Sequence, residues 1–472
     1  MPPRRTHPVA NRALAALIEQ AAWTHAALAR HVNAAAAANG DRLHYDRSAV
    51  GHWLTGTVPR PEAVAAVVEA FRRRLGRTDL TAAHLGWPDP GVVQPDDPWR
   101  GDPWRGDPVA RLATLGEDDL LNRRTVLTAG TFTLAALSGL AAGARVPAAA
   151  EVAAEVAAGV AAGAAALIAS GGRAPARAGA ADVTRIRAAT AGFADLDDQY
   201  GGGHARAAVA AYLAREVTPL LHGTTGRRRP DLFGAAAELS YLAAYMAMDA
   251  GANALAQRYY ISAVRLADEA GDLVLRATAL RSMAVQAAEL GHDEEALALA
   301  EAAASALGGH GPPRTQAWVT GMRAEAHAAA GTRHDALSLL HRTETQLERA
   351  DSRPESEWTG NYRRESLEHQ IGLTLTRLGD HAGAARHFAA SMDARRPVER
   401  RTRTLIGLRA AHAFLRAGDV ERAAVTVLGL SEDVRLVASA RVRGELRELR
   451  TAWQPYRGAA LVAEADRALR GA

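Results

Sequence analysis

At 472 residues with no cysteine, the chain is long enough for two or more domains, and it excludes a disulfide framework, thiolate metal ligands and cysteine nucleophiles. All 56 basic residues are arginine, set against 52 acids; aromatics make up only 5% and strand-like alternation is hard to find, so the expected class is all-α. The net charge of +4 is unevenly placed: residues 1–90 hold eleven arginines against seven acids, which leaves 45 against 45 for residues 91–472. A basic head on a neutral body is what phosphate attraction would require.

In chain order, Asn11 caps a first helix with Leu14, Leu17, Ile18 and Ala21 on one stripe. Thr24 opens a second that buries Leu28 and Val32, with small Ala29 where another helix can cross. The connection 33–45 contains the turn signal Asn39-Gly40-Asp41 and is longer than the three or four residues of an ordinary helix-turn-helix. A third helix follows Asp46, an Asx cap, and stops at Gly56. Val50, Trp53 and Leu54 share its inner face at i, i+3 and i+4. Arg47, Ser48, His52 and Thr55 are left outward, with side chains that contact phosphates and base edges. Pro59-Arg60-Pro61 then leads into a fourth helix with Val64, Val67, Val68, Phe71 and Leu75 at core spacing, ending at Gly76.

From Trp23-Thr24 through Leu28-Ala29-Arg30, then from Asp46 through Gly56, residues 8–88 resemble the Cro/C1-type (XRE-like) helix-turn-helix family. The resemblance implies a DNA-binding domain over residues 1–88. It implies that Thr24 and His25 touch backbone phosphate, that Arg47 and Ser48 reach base edges, and that His52 and Thr55 contact a base or phosphate further along. Arg30, Arg42, Tyr45 and Arg60 complete the candidate DNA-binding set. The chain departs from the family at the expanded turn and at Ala27, where a capping-box glutamate is common, and this leaves the angle between the two helices open.

Residues 89–121 read as a Pro/Asp/Trp-rich linker, with Asp97-Pro98-Trp99-Arg100-Gly101 repeated at once as Asp102-Pro103-Trp104-Arg105-Gly106. Docking of these tryptophans on a neighbouring domain is one reading, and a duplication in a tolerant spacer is the favoured one. Residues 122–180 read as a helical segment, uncharged over 125–144 and Ala/Gly-rich after it. Within it, Arg123-Arg124 and the run 125–144 look like a twin-arginine export signal or a membrane span. Against a span, the run holds four threonines, one serine and three glycines, with only six strongly apolar side chains. A buried helix is the expectation and a membrane tether the alternative.

Residues 181–472 read as a helical-repeat domain. Gly251, Gly291, Gly331, Gly379 and Gly418 each precede an alanine by five residues: Ala256, Ala296, Ala336, Ala384 and Ala423. Small residues stand seven before each glycine (Ala244, Ala284, Ala324, Gly372, Ala411), and Tyr260, Ala300, Leu340, Phe388 and Val427 stand nine after. Such registers resemble tetratricopeptide-type hairpins over 235–430, with a C-terminal cap at 431–472. Stacked hairpins form a concave groove that Tyr241, Tyr245, Arg281, Trp318 and Tyr362 are placed to line, ordinary packing being the plainer reading of each. Asp197-Asp198 before Gly201-Gly202-Gly203-His204 reads as a helix end and a flexible turn, and His292, His334 and His381 fall in inter-helix turns.

No nucleotide-binding, nucleophile-elbow or zinc-protease motif is present, so no catalytic residue, cofactor or metal site is assigned and an enzyme is not expected. As a whole the chain resembles the actinomycete group of such regulators, to which negative regulators of differentiation and antibiotic production belong. The expectation is a cytoplasmic, homodimeric transcriptional regulator of double-stranded DNA. Its repeats would serve dimerisation or bind a peptide, protein or small-molecule effector. The alternative is an interaction scaffold, membrane-anchored through 125–144, without sequence-specific DNA binding.

Overall fold

The computed structural model describes residues 11–38, 43–77, 79–87, 103–121, 179–309, 311–350 and 362–469; among them the regular elements are helices and no strand occurs. The architecture is all-α, a small N-terminal bundle followed by a C-terminal helical solenoid. In the bundle, α1 (Arg12–Gln20), α2 (His25–Ala38), α3 (Arg47–Leu54) and α4 (Pro61–Leu75) enclose Leu14, Leu28, Val32, Val50, Val67 and Phe71. Asn11 joins the two ends of this body: its Oδ1 accepts the Leu14 N–H at 3.0 Å, and its Nδ2 donates to the Leu85 carbonyl at 2.8 Å. The fourth helix closes on Gly76 at φ +62°, where glycine carries no Cβ penalty.

Part of the segment expected to be a linker is folded. Residues 103–121 are folded: α5 (Pro108–Leu121) packs on the start of the solenoid, and Trp104 is buried with the solenoid core. Arg265 holds this segment by donating to the Trp104 carbonyl and, at 2.8 Å, to the Gly106 carbonyl. Asp119 pairs with Arg206 and accepts from the Tyr259 hydroxyl. The second tryptophan of the tandem repeat is therefore a docking residue rather than part of a tolerant spacer. Residues 122–178 lie outside the described residues, and with them Arg123, Arg124 and the run 125–144. No described helix is long and apolar enough to cross a membrane.

Three elements precede the repeats: α6 (Ala180–Tyr200), α7 (Gly202–Tyr212) running into a π-helical turn, and α8 (Thr218–Gly223). Then come five antiparallel hairpins: α9 (Arg229–Asp249) with α10 (Asn253–Ala270), α11 (Leu273–Glu289) with α12 (Asp293–Leu307), and α13 (Pro313–Ala329) with α14 (Arg333–Glu348). The last two are α15 (Arg364–Arg377) with α16 (His381–Ala394), and α17 (Arg400–Arg416) with α18 (Val420–Leu436). Two cap helices, α19 (Ala440–Ala452) and α20 (Ala460–Ala468), end the stack.

The repeat registers have a direct physical cause. Each hairpin turns at its glycine with φ between +78° and +89°, a region closed to most side chains. The alanines five residues later are all fully buried, where a larger side chain would push helix B off helix A. The longer spacing between Gly331 and Gly379 coincides with a connection between α14 and α15. There the apolar interior divides, one cluster running from Trp104 to Ala326 and a second from Ala384 to Leu469.

Gly372 shows how the register tolerates a large residue. A Cβ built there would lie 2.6 Å from the ring of Phe388, the residue nine after the turn glycine of the same hairpin. Gly372→Ala is expected to cost about 1–3 kcal/mol by overpacking. Adding Phe388→Val, which copies the Ala411 and Val427 combination of the next hairpin, is expected to recover most of it. Urea unfolding of the single and double variants reads both numbers; equal loss in the two would contradict the compensation.

The solenoid closes on itself. The Ala438 N–H donates to the Tyr200 carbonyl at 2.7 Å, and the Gly203 N–H donates to the Ala438 carbonyl at 3.1 Å. Asp249 accepts from the Gly202 N–H at 2.9 Å and from the Ser439 hydroxyl at 2.7 Å. Arg401 reaches Asp197 at 3.0 Å, Asp198 at 3.1 Å and the Tyr245 hydroxyl at 3.0 Å. Gly202 lies so close to α9 that a Cβ would meet the Met246 carbonyl at 2.5 Å. The Asp197–His204 stretch, read from sequence as a flexible turn, is instead the seat on which the last repeats rest.

Candidate nucleic-acid interface

Helix α3 is eight residues, about 12 Å long. Asp46 starts it: the carboxylate accepts the Ala49 N–H at 2.9 Å. Val50, Trp53 and Leu54 face inward. Trp53, 3% exposed, is held edge-on between Tyr45 (ring centroids 5.0 Å apart) and Trp87 (6.0 Å). Arg47, Ser48, His52 and Thr55 are exposed on the opposite side. Thr55 also serves the helix end, donating to the His52 carbonyl at 2.9 Å.

The angle between α2 and α3, open in the sequence, is fixed by a residue that sequence reasoning missed. Asn33 on α2 donates from Nδ2 to the Tyr45 carbonyl at 2.8 Å, and its Oδ1 accepts the Tyr45 N–H at 2.9 Å. One side chain thus satisfies both backbone groups of the residue just before the Asp46 cap. This replaces the constraint that a short turn would impose. The Asn spacing alone carries no such signal.

The other candidates divide into outward-facing and structural. Thr24 and His25, at the start of α2, are exposed, and the Thr24 hydroxyl caps the helix by accepting the Ala27 N–H at 3.1 Å. Arg30 and Arg60 are exposed. Tyr45 is half-buried and its ring packs on Trp53, so it supports α3 from the inside. Arg42 lies outside the described residues.

The arginines of this body are likewise divided. Arg72 donates to the Leu80 carbonyl and Arg74 to the Ala21 carbonyl, while Arg73 pairs with Glu69 and Arg77 with Asp79. Burial raises the Glu69 carboxyl above its ordinary value, against the pull of Arg73. Among the described residues Arg12, Arg30, Arg47 and Arg60 are exposed and form no ion pair. Their charge is free to meet an anion.

In the solenoid, the residues expected to line a groove are engaged by other side chains. The Tyr241 hydroxyl meets Ser282 at 3.1 Å, and the Arg281 guanidinium stacks 4.5 Å over Trp318 and donates to Gln370. Tyr362 is buried against Ala317 and Leu367. Arg409 and Arg441 both bind Glu289. Burial alone would raise the Glu289 carboxyl, but these two guanidinium groups override it and hold it at about 2.

A family model described as the SP15 N-terminal domain matches residues 14–88, from the first core leucine of α1 to just beyond Trp87. No curated protein and no solved structure matches the chain.

Proposed function

We propose that the chain is a sequence-specific DNA-binding transcriptional regulator, with α3 as the helix that reads the major groove and the solenoid as its dimerisation or effector-sensing body. The observation that carries this reading is the polarity of α3. Its tryptophan is inside, its arginine, serine, histidine and threonine are outside, and unpaired arginines flank it. Thr24, His25 and Arg30 on α2 hold phosphates, and Arg47 and Ser48 meet base edges. As a dimer, the protein would span half-sites about 34 Å apart, one helical turn.

Selection of bound fragments from a randomised or genomic library, followed by anisotropy titration over a salt series, tests it. A regulator enriches one motif and loses affinity steeply with salt; Arg30→Ala should weaken all sequences alike and reduce the salt slope by about one. Enrichment of nothing, with no salt dependence, would leave a helical-repeat interaction scaffold.

A further inference from the structure

We propose that His412, Glu445 and Glu448 form a binding site for a divalent transition metal, Zn²⁺ or Mn²⁺ in class, where the last repeat meets the C-terminal cap. His412 lies on α17, one turn after Arg409. Glu445 and Glu448, three residues apart, occupy one face of α19, which packs on α17. One ligand atom from each of the three lies within 4.8 Å of the others. One imidazole nitrogen and two carboxylate oxygens on two rigid helices are a mixed donor set. It suits a borderline metal better than Mg²⁺ or Ca²⁺, which favour all-oxygen shells.

Two features separate this trio from an ordinary surface cluster. The three groups converge without bonding one another, and neither His412 nor Glu448 has another hydrogen-bond or ion-pair partner among the described residues. Glu445, by contrast, is already oriented: Arg409 Nε holds its Oε1 at 2.8 Å, the kind of outer partner that fixes a ligating carboxylate and leaves its second oxygen for a metal. Half-exposed His412 and exposed Glu448 leave the remaining coordination positions to water.

The position gives binding a consequence. Arg409 holds Glu289 of α11 at 2.9 Å through a different nitrogen, so one guanidinium ties the ligating Glu445 to the earlier repeats. A metal shared by His412, Glu445 and Glu448 would pin α19 to α17 beside that contact and tighten the closed solenoid. This deepens the regulator reading by giving the solenoid an input, yet metal binding itself does not depend on DNA recognition.

Full-length protein stripped with chelator is titrated calorimetrically with ZnCl₂, MnCl₂ and MgCl₂ at neutral pH, alongside His412→Ala and Glu448→Gln. One saturable event per chain with Zn²⁺ or Mn²⁺ and none with Mg²⁺, weakened at least tenfold in both variants, is expected. A metal-dependent rise in the unfolding midpoint, absent in Glu448→Gln, accompanies it. Glu448 is exposed, so that variant keeps its fold even should His412→Ala not. An unchanged isotherm in Glu448→Gln, or no saturable binding by the unaltered protein, overturns the site whether or not the protein binds DNA.

Discussion

Arg401→Ala is expected to destabilise the solenoid by about 3–5 kcal/mol, more than any surface substitution in the chain. The Arg401 and Asp197 side chains are each only 4% exposed, and removing one partner strands the other charge in the interior. Burial pushes the Asp197 carboxyl up to about 7, with Arg401 opposing the rise and Asp249 and Asp198 adding to it. Between about pH 4 and 7 the folded state therefore retains a proton on Asp197 that the unfolded chain, with an ordinary value of 3.8, gives up. Between about pH 4 and 7 this group makes stability fall as pH rises. Without Arg401 the carboxyl rises further, so the variant should lose more at pH 8 than at pH 5, where protonation relieves the stranded charge. Adding Asp197→Asn removes that charge and should narrow the gap between the two pH values. Urea unfolding at both pH values checks this, with hydrogen exchange expected to rise in α6 and α17 rather than in the N-terminal bundle. A loss under 1 kcal/mol, or one equal at both pH values, would show that the closure does not rest on this pair.

What could be read in advance follows from how local each cause is. The turn glycines at +78° to +89° and their buried alanines are legible because the turn itself demands them within five residues. The same holds for Asn11 and Asp46 as caps, and for the inward Trp53 with the outward Arg47, which follow from a 3.6-residue period. The closing contacts are not legible in that way. Arg401 and Asp198 stand 203 positions apart, and Arg265 and Trp104 stand 161 apart. In a chain whose 56 cations are all arginine, nothing in sequence marks which one is buried and paired. Composition misled at Trp104 for a related reason. Proline and glycine density predicts an extended chain, whereas the outcome was decided by two carbonyls accepting from a distant guanidinium. Asn33 escaped notice because its partner is the backbone of Tyr45, and backbone groups have no sequence signature.

Arg47→Ala is expected to abolish sequence preference while leaving the fold intact. The residue opens α3 but contributes neither to the Asp46 cap nor to the core around Trp53, and it forms no ion pair among the described residues. Losing a bidentate contact to a guanine edge costs about 1–3 kcal/mol of discrimination, roughly 5- to 150-fold against the preferred site. Non-sequence-specific binding should weaken far less, because in the proposed mode Arg30, Arg60 and the α2 terminus would still meet phosphate. Arg47→Lys separates charge from shape: it keeps the cation but not the planar fork, so most of the discrimination should still be lost. Stability supplies an independent signature. A cation at the first position of a helix opposes the macrodipole, so Arg47→Ala should raise the bundle's stability by a few tenths of a kcal/mol. Should the preferred and scrambled sites be bound by Arg47→Ala in the same ratio as by the unaltered chain, α3 is not the reading helix.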